Sequence, residues 1–246
     1  MASLKNRNIG LIYLFFIGFS LTFFSCKKKS QKEVVNETGT VTDIQGNAYN
    51  TVKIGNQWWM AENLKVKVYN DSSKINEIFL DSSIVWSKTT KGAFCSIGSR
   101  FGLHYNWFAI KESKKLAPTG WHVPSDEEWK IMERTLGVSQ PASDETGWRG
   151  ADQKVCEKLI IKASVGWPIG LTEVYGTNVS GFTALPGGCR LFDGSVSDLA
   201  VTGYWWSAGE KDSAKGWYRN MSNGNNGVFR YFADKNYGFN VRCVKD

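Results

Sequence analysis

Two histidines, five cysteines and a few closely spaced acidic residues are the groups in this 246-residue chain that could do chemistry. A serine, histidine and aspartate set can be assembled on paper from His122, Asp126 and one of the many serines. Nucleophilic serine chemistry needs the hydroxyl presented on a sharp turn of the Gly-x-Ser-x-Gly kind, and no such turn is written here. Asp126 and Glu128 have another use as helix-capping groups, and His122, between Trp121 and Pro124, reads as a structural, half-buried histidine. Glu127 and Glu128 project to different sides of a helix, which is wrong for a glycosidase acid/base pair. His104 and His122 each lack a neighbouring ligand cluster, and no two cysteines have Cys-x-x-Cys spacing, which argues against structural zinc. A hard cation wants about six oxygen ligands, and Asp193, Asp198 and Asp234 are too scattered to promise them. No metal, cofactor or catalytic residue is expected.

Binding is the chemistry the composition favours. Eleven Trp, nine Tyr and fourteen Phe exceed what a helical bundle of this size needs. Successive strand residues face opposite sides, so one member of each pair Trp58-Trp59 and Trp205-Trp206 belongs in the core, and the other belongs in a second layer or at the surface. Exposed aromatic faces stack on sugars and serve as binding hot spots. The loop-rich region 209–237 combines such faces with amide and guanidinium donors at Trp217, Arg219, Asn223, Arg230 and Tyr231, which are the expected ligand-binding residues. The bland alternative is that its Asn-Gly runs are only hairpin turns.

The elements that must position these residues centre on Gly120 to Trp129. Ser125 and Glu128 have capping-box spacing, Asp126 and Glu127 place negative charge at the positive end of the helix dipole, and Trp129, Met132 and Leu136 form one apolar stripe. A helix from about Asp126 to Leu136, stopped by Gly137, follows. Thr51–Ile54 and Gln57–Met60 flank a two-residue Gly-Asn turn, which predicts a hairpin. Residues 70–92 and 139–150 read as loops, Lys154–Ala163 as a second helix, and 102–109 as a short helix or strand. Runs at 181–190, 203–208, 216–219, 227–232 and 238–244 read as strands.

The first 26 residues stand apart. Lys5 and Arg7 precede a 16-residue, almost unbroken apolar run from Ile9 to Phe24; a lone membrane helix wants about 20 such residues, so the run reads as a signal peptide. Ser25-Cys26, followed by three lysines, resembles the lipobox of bacterial lipoproteins, with Phe23 in place of the usual aliphatic residue. That resemblance implies cleavage before Cys26, its diacylation, and a stable membrane anchor. The formal charge of +7 falls to +2 once Lys5, Arg7, Lys27, Lys28, Lys29, Lys32 and Glu33 are set aside, leaving 24 basic against 22 acidic residues. The excess positive charge is therefore juxtamembrane, and a nucleic-acid partner is disfavoured. Export permits disulfides, and Cys95, Cys156, Cys189 and Cys243 allow three pairings.

The stretches TVKIGNQWWMAENLK, FGLHYNWFAI, LAPTGWHVPSDEEW, SGFTALPGG, GYWWSA and GFNVRCVKD, in that order, resemble the Fibrobacter succinogenes major paralogous domain family across essentially the whole of 43–246. The resemblance implies an α+β, C-type lectin-like domain related to sulfatase-modifying factors, with few helices, twisted antiparallel strands and long irregular loops. It implies no activity. The copper-binding cysteine pair of formylglycine-generating relatives has no counterpart here, nor do the Glu-Pro-Asn and Trp-Asn-Asp motifs of calcium-dependent lectins. Ala117 stands where many members have a Cys; a Cys189–Cys243 bridge is the pairing expected instead, with Cys95 as rival partner. The organisation expected is a signal peptide over 1–25, a tether over 26–39 and the domain over 40–246. The function expected is noncatalytic recognition of a glycan or an envelope or extracellular protein by a lipoprotein of the bacterial outer membrane, on its periplasmic or surface side. The competing expectations are an enzyme acting on such polymers, with His122 or His104 as general base, and a purely structural surface protein.

Overall fold

The computed structural model describes residues 36–113, 115–161, 176–222 and 224–246; Cys26, the expected signal peptide over 1–25 and Asn223 lie outside them. In chain order come strands β1 (Thr38–Thr42), β2 (Ala48–Ile54), β3 (Gln57–Met60) and β4 (Asn76–Glu77), helix α1 (Ser83–Lys88), strands β5 (Ala93–Cys95) and β6 (His104–Tyr105), and helix α2 (Trp107–Lys111). Next are β7 (Trp121–His122), α3 (Asp126–Thr135), α4 (Gln140–Asp144), β8 (Gly147–Arg149) and α5 (Val155–Leu159). The last six elements are strands: β9 (Gly187–Arg190), β10 (Val196–Leu199), β11 (Thr202–Glu210), β12 (Lys215–Ser222), β13 (Val228–Asp234) and β14 (Val244–Lys245).

These form an α+β domain with few, short helices and mostly antiparallel sheets. One sheet runs β1-β2-β3-β14-β7, a second β10-β9-β11-β12-β13-β8, and a small third β4-β5-β6. The hairpin expected at 51–60 is present, with Ile54 opposite Gln57 across Gly55-Asn56. Gly55 takes φ +61°, and a Cβ there would come within 2.8 Å of Thr135 at the end of α3, so turn and packing both require glycine.

Helix α3 begins as its sequence dictates. Ser125 Oγ accepts from the Glu128 amide at 3.2 Å, and Glu128 accepts from the Ser125 amide at 2.7 Å; a cap of this kind contributes about 1 kcal/mol. Leu136 is the C-cap, and Gly137 follows at φ +115°. Trp129 and Met132 are fully buried, and the Trp129 ring lies 5.0 Å from that of Trp59.

Strand β11 divides the apolar interior. Trp205 packs with Phe182, Trp129 and Trp59 on one side, while Trp206 packs with Phe239, Tyr105 and Trp107 on the other. Both tryptophans are fully buried, so neither of this pair reaches the surface; each would cost about 3–5 kcal/mol to truncate. Of the other pair Trp59 is buried and Trp58 half-buried.

Several boundaries differ from the sequence expectations. Residues 70–92 contain β4 and α1, and 139–150 contain α4 and β8. The second helix is only Val155–Leu159, with Lys154 in left-handed backbone before it; residues 162 and 163 lie outside the described residues. The segment 102–109 holds both a strand and the start of a helix. Strand structure in 181–190 is confined to β9, and in 238–244 to Val244.

The Cys189–Cys243 bridge is not formed: Cys95, Cys156, Cys189 and Cys243 are all free and buried. Cys189 lies on β9 and Cys243 beside β14, on two different sheets, and each is enclosed by apolar neighbours. Burial pushes the Cys95 thiol to about 11 and those of Cys156 and Cys189 to about 12, and it raises Cys243 as well, so none is a thiolate at neutral pH.

Candidate functional site

The sheet β11-β12-β13 presents alternate residues to opposite sides, and the two sides have unlike chemistry. In register, Trp217 faces Phe232, Tyr218 faces Tyr231, and Arg219 faces Arg230.

The face beneath α3 is charged and closed. Arg219 is fully buried; its Nε donates to Glu133 at 2.6 Å and an Nη donates to Asp126 at 2.7 Å. Arg230 donates to the same Asp126 carboxylate at 2.7 and 3.0 Å and to the Asp144 carbonyl at 2.9 Å. Arg149 donates to the second oxygen of Glu133, which is itself fully buried. Burial alone would raise the Asp126 carboxyl, but the hydrogen bonds and charges of Arg230 and Arg219 outweigh it and hold the group well below the usual carboxylate range. Trp217 is half-buried on this face, with the Arg230 guanidinium 3.9 Å above its ring. Arg219 and Arg230, expected to reach a ligand, are thus occupied by internal carboxylates, because leaving a guanidinium buried without a partner is costly.

The opposite face is aromatic and open. Tyr204, Tyr218 and Tyr237 converge over Phe239 in a groove of about 490 Å³ that Tyr231 also lines, with Cys189 and Leu191 in its lining and Asp198, Asp234 and Lys215 around it. Tyr204 stacks on Phe239 at 5.2 Å, Tyr218 lies 4.9 Å from the same ring, and Tyr237 lies 5.5 Å from it. Tyr231 is 40% exposed at the mouth. The Tyr204 hydroxyl donates to Asp198 at 2.6 Å. Burial raises the Tyr204, Tyr218 and Tyr237 phenols, so all three stay protonated and keep an O–H to donate. Along the same sheet Phe229 contacts Tyr231 and the exposed Trp148, extending the aromatic surface. Flat ring faces beside carboxylate acceptors and phenol donors can hold a ligand that has both apolar C–H faces and hydroxyls.

Of the expected binding residues the structure therefore brings only Tyr231 to this groove; Asn223 lies outside the described residues. The sequence reading missed Tyr204, Tyr218 and Tyr237. Their common face follows from the alternation of β11 and β12, but only once the strand register is known.

Both histidines are committed elsewhere. His104 is fully buried with Nε2 2.9 Å from the Gly187 carbonyl, and burial lowers its pKa to about 4. His122 lies between Asp246, 2.6 Å from Nδ1, and Glu128, 2.7 Å from Nε2. Partial burial opposes its charge, yet the hydrogen bonds to both carboxylates raise its pKa. Among the described residues no group of three His, Cys, Asp or Glu is arranged to hold a metal, and no helix is long and apolar enough to cross a membrane.

Fold and groove together define an α+β domain with an open aromatic cleft on one sheet. The family model of the Fibrobacter succinogenes major domain matches residues 52–245, and the chain belongs to that family. No curated protein and no solved structure matches it.

Proposed function

We propose that the protein is an envelope-anchored lipoprotein whose domain recognises a glycan, without transforming it, in the groove of Tyr204, Tyr218, Tyr231 and Tyr237. The observation that carries this reading is the convergence of three tyrosines over Phe239, with carboxylates beside them and a fourth tyrosine, Tyr231, open to solvent in the same groove. Sugars offer C–H faces to rings and hydroxyls to carboxylates, and rigid aromatic side chains lose little entropy on binding them. Short helices on twisted, mostly antiparallel sheets support a C-type lectin-like reading of the fold. The anchor reading is supported by the lipobox-like Ser25-Cys26, and with it goes a proposed position at the outer membrane, on the periplasmic or surface side.

An enzyme using His104 or His122 as general base draws little support from their surroundings. The first is enclosed, and the second is held between two carboxylates that favour its protonated form.

The test is a glycan and polysaccharide array probed with the detergent-solubilised full-length protein, with calcium and with chelator, alongside Tyr231→Ala. Saturable binding that Tyr231→Ala weakens at least about fivefold is expected. Binding indifferent to that substitution, or binding only to an envelope protein, would overturn the glycan reading. Mass spectrometry of the mature N-terminus should find acylated Cys26; an intact Met1 would remove the anchor.

A further inference from the structure

The tyrosine groove does not stand alone. A second depression of about 310 Å³, lined by Phe108, Phe192, Ala214 and Lys235 among others, shares Asp234 with it. A third, of about 580 Å³, shares Phe108 and Lys235 with the second. The three depressions adjoin one another at these shared residues. Part of this row follows the end of β13, where Tyr231 to Lys235 spans roughly 13 Å at strand rise. A row of that length suits a chain-like ligand better than a single small molecule.

Its two ends differ in charge. The third depression carries Lys74, Lys91, Lys111 and Lys235 against Glu112 and Glu210. Lys235 is already neutralised, since its Nζ donates to Glu210 at 2.6 Å and to the Ser213 carbonyl at 2.8 Å while lying 4.5 Å from the Trp107 ring centroid. Lys74, Lys91 and Lys111 are exposed and make no ion pair among the described residues. Lys111 sits 5.7 Å from the same Trp107 ring. Three ammonium groups without an ion pair among the described residues therefore line the same depression as Trp107, against the one carboxylate of Glu112, in a chain whose domain is close to neutral overall. An ammonium is a compact, strongly hydrated point charge, suited to carboxylate or sulfate groups presented at a solvated surface.

We propose that the ligand is an acidic polysaccharide, a glycan bearing carboxylate or sulfate groups. Its sugar faces rest on Tyr231, Tyr218, Tyr204 and Tyr237, and its anionic groups lie against Lys74, Lys91 and Lys111. The proposal rests on the glycan reading of the tyrosine groove and adds the ligand's charge and the direction in which the chain lies.

The experiment measures binding of the full-length protein in detergent to polygalacturonate, alginate, hyaluronate and chondroitin sulfate. Each is matched to its carboxyl-reduced or desulfated form and measured at low and high salt. At least one acidic member is expected to bind about tenfold more tightly than its neutral counterpart, with the preference fading as salt screens the lysines. The triple variant Lys74→Gln/Lys91→Gln/Lys111→Gln should lose that preference, again by roughly tenfold, as three exposed charge contacts would give. It should keep its melting temperature and its affinity for the neutral form, whereas Tyr231→Ala weakens binding of the acidic and the neutral form alike. Equal binding of acidic and neutral forms, unchanged in the triple variant, overturns the charge assignment and leaves the tyrosine groove standing. Binding to no glycan, acidic or neutral, overturns both.

Discussion

The two faces of the β12–β13 hairpin are built from neighbouring residues of the same two strands, yet they do opposite work. Arg219 and Arg230 point beneath α3 into a largely buried cluster with Asp126, Glu133 and Arg149, where every charge has a partner. Tyr218 and Tyr231, one residue along, point into a groove that remains open. The same alternation that makes a strand two-sided here separates a buried charged face from an open aromatic one. The charged face fixes where the helix sits on the sheet, and that fixed sheet holds the tyrosines in place before any ligand arrives. Preorganisation of this kind lowers the entropy cost of binding.

The largest test of the contrast is Glu133→Ala. It leaves Arg219 and Arg149 buried beside an empty position, and breaking a buried pair in this way costs about 3–5 kcal/mol. Urea denaturation should show a loss of that size; a change below about 1 kcal/mol would mean that the cluster does not anchor α3.

Acid titration is the second. The folded pKa of Asp126 lies below its unfolded value, so its contribution is complete above the ordinary carboxylate range and is lost as pH falls through the folded value. The stability difference between the native protein and Asp126→Asn should therefore be full near about pH 6 and shrink toward about pH 2. A difference independent of pH would contradict this account of the charged face.

On the open face the expectation reverses. Tyr231→Ala should change stability by no more than about 1 kcal/mol, because the ring is substantially solvent-exposed. Its effect should fall on ligand binding, read by the array described above. A large loss of stability there would erase the distinction between the faces.

The smallest effect belongs to His122, the solvent-screened counterpart of the buried cluster, which ties Glu128 of α3 to Asp246. Its pKa is raised in the folded protein, so its contribution is complete below about pH 6.5 and is lost as pH rises through the folded value. With a side chain 41% exposed, the contribution should be about 1 kcal/mol or less. The melting-temperature difference from His122→Gln between about pH 5 and pH 9 measures it, and an advantage that grows with pH would reverse the assigned sign.

The parts that were legible in the sequence are those whose cause is local. The α3 capping box joins residues three apart, the β2–β3 hairpin turns on two residues, and the aromatic strands carry their own alternation. The charged cluster was less legible because Arg219 and Arg230 meet their carboxylates across 86 to 104 residues. One usable signal was present: Asp126 and Glu133 are two turns apart on one helix face, and Glu133 sits among apolar stripe residues. Five arginines are buried among the described residues, at 149, 190, 219, 230 and 242. Arg190 donates to the Ile78 and Phe79 carbonyls, and Arg242 to the Thr183 carbonyl at 2.8 Å, each fastening a distant connection. Composition weighs an arginine as a surface donor; only the fold shows which are enclosed.

The sequence by itself determined the family, the α3 start and stop, the first hairpin and the aromatic richness, because each is written in contiguous residues or their spacing. The tertiary structure alone decided that Cys189 and Cys243 stay apart, that Trp205 and Trp206 serve two different cores, and which of the loop-rich residues near 217–231 line the open groove. Those outcomes depend on strand register and on which sheet covers which, and a shift of one residue in register would exchange the tyrosines for the arginines.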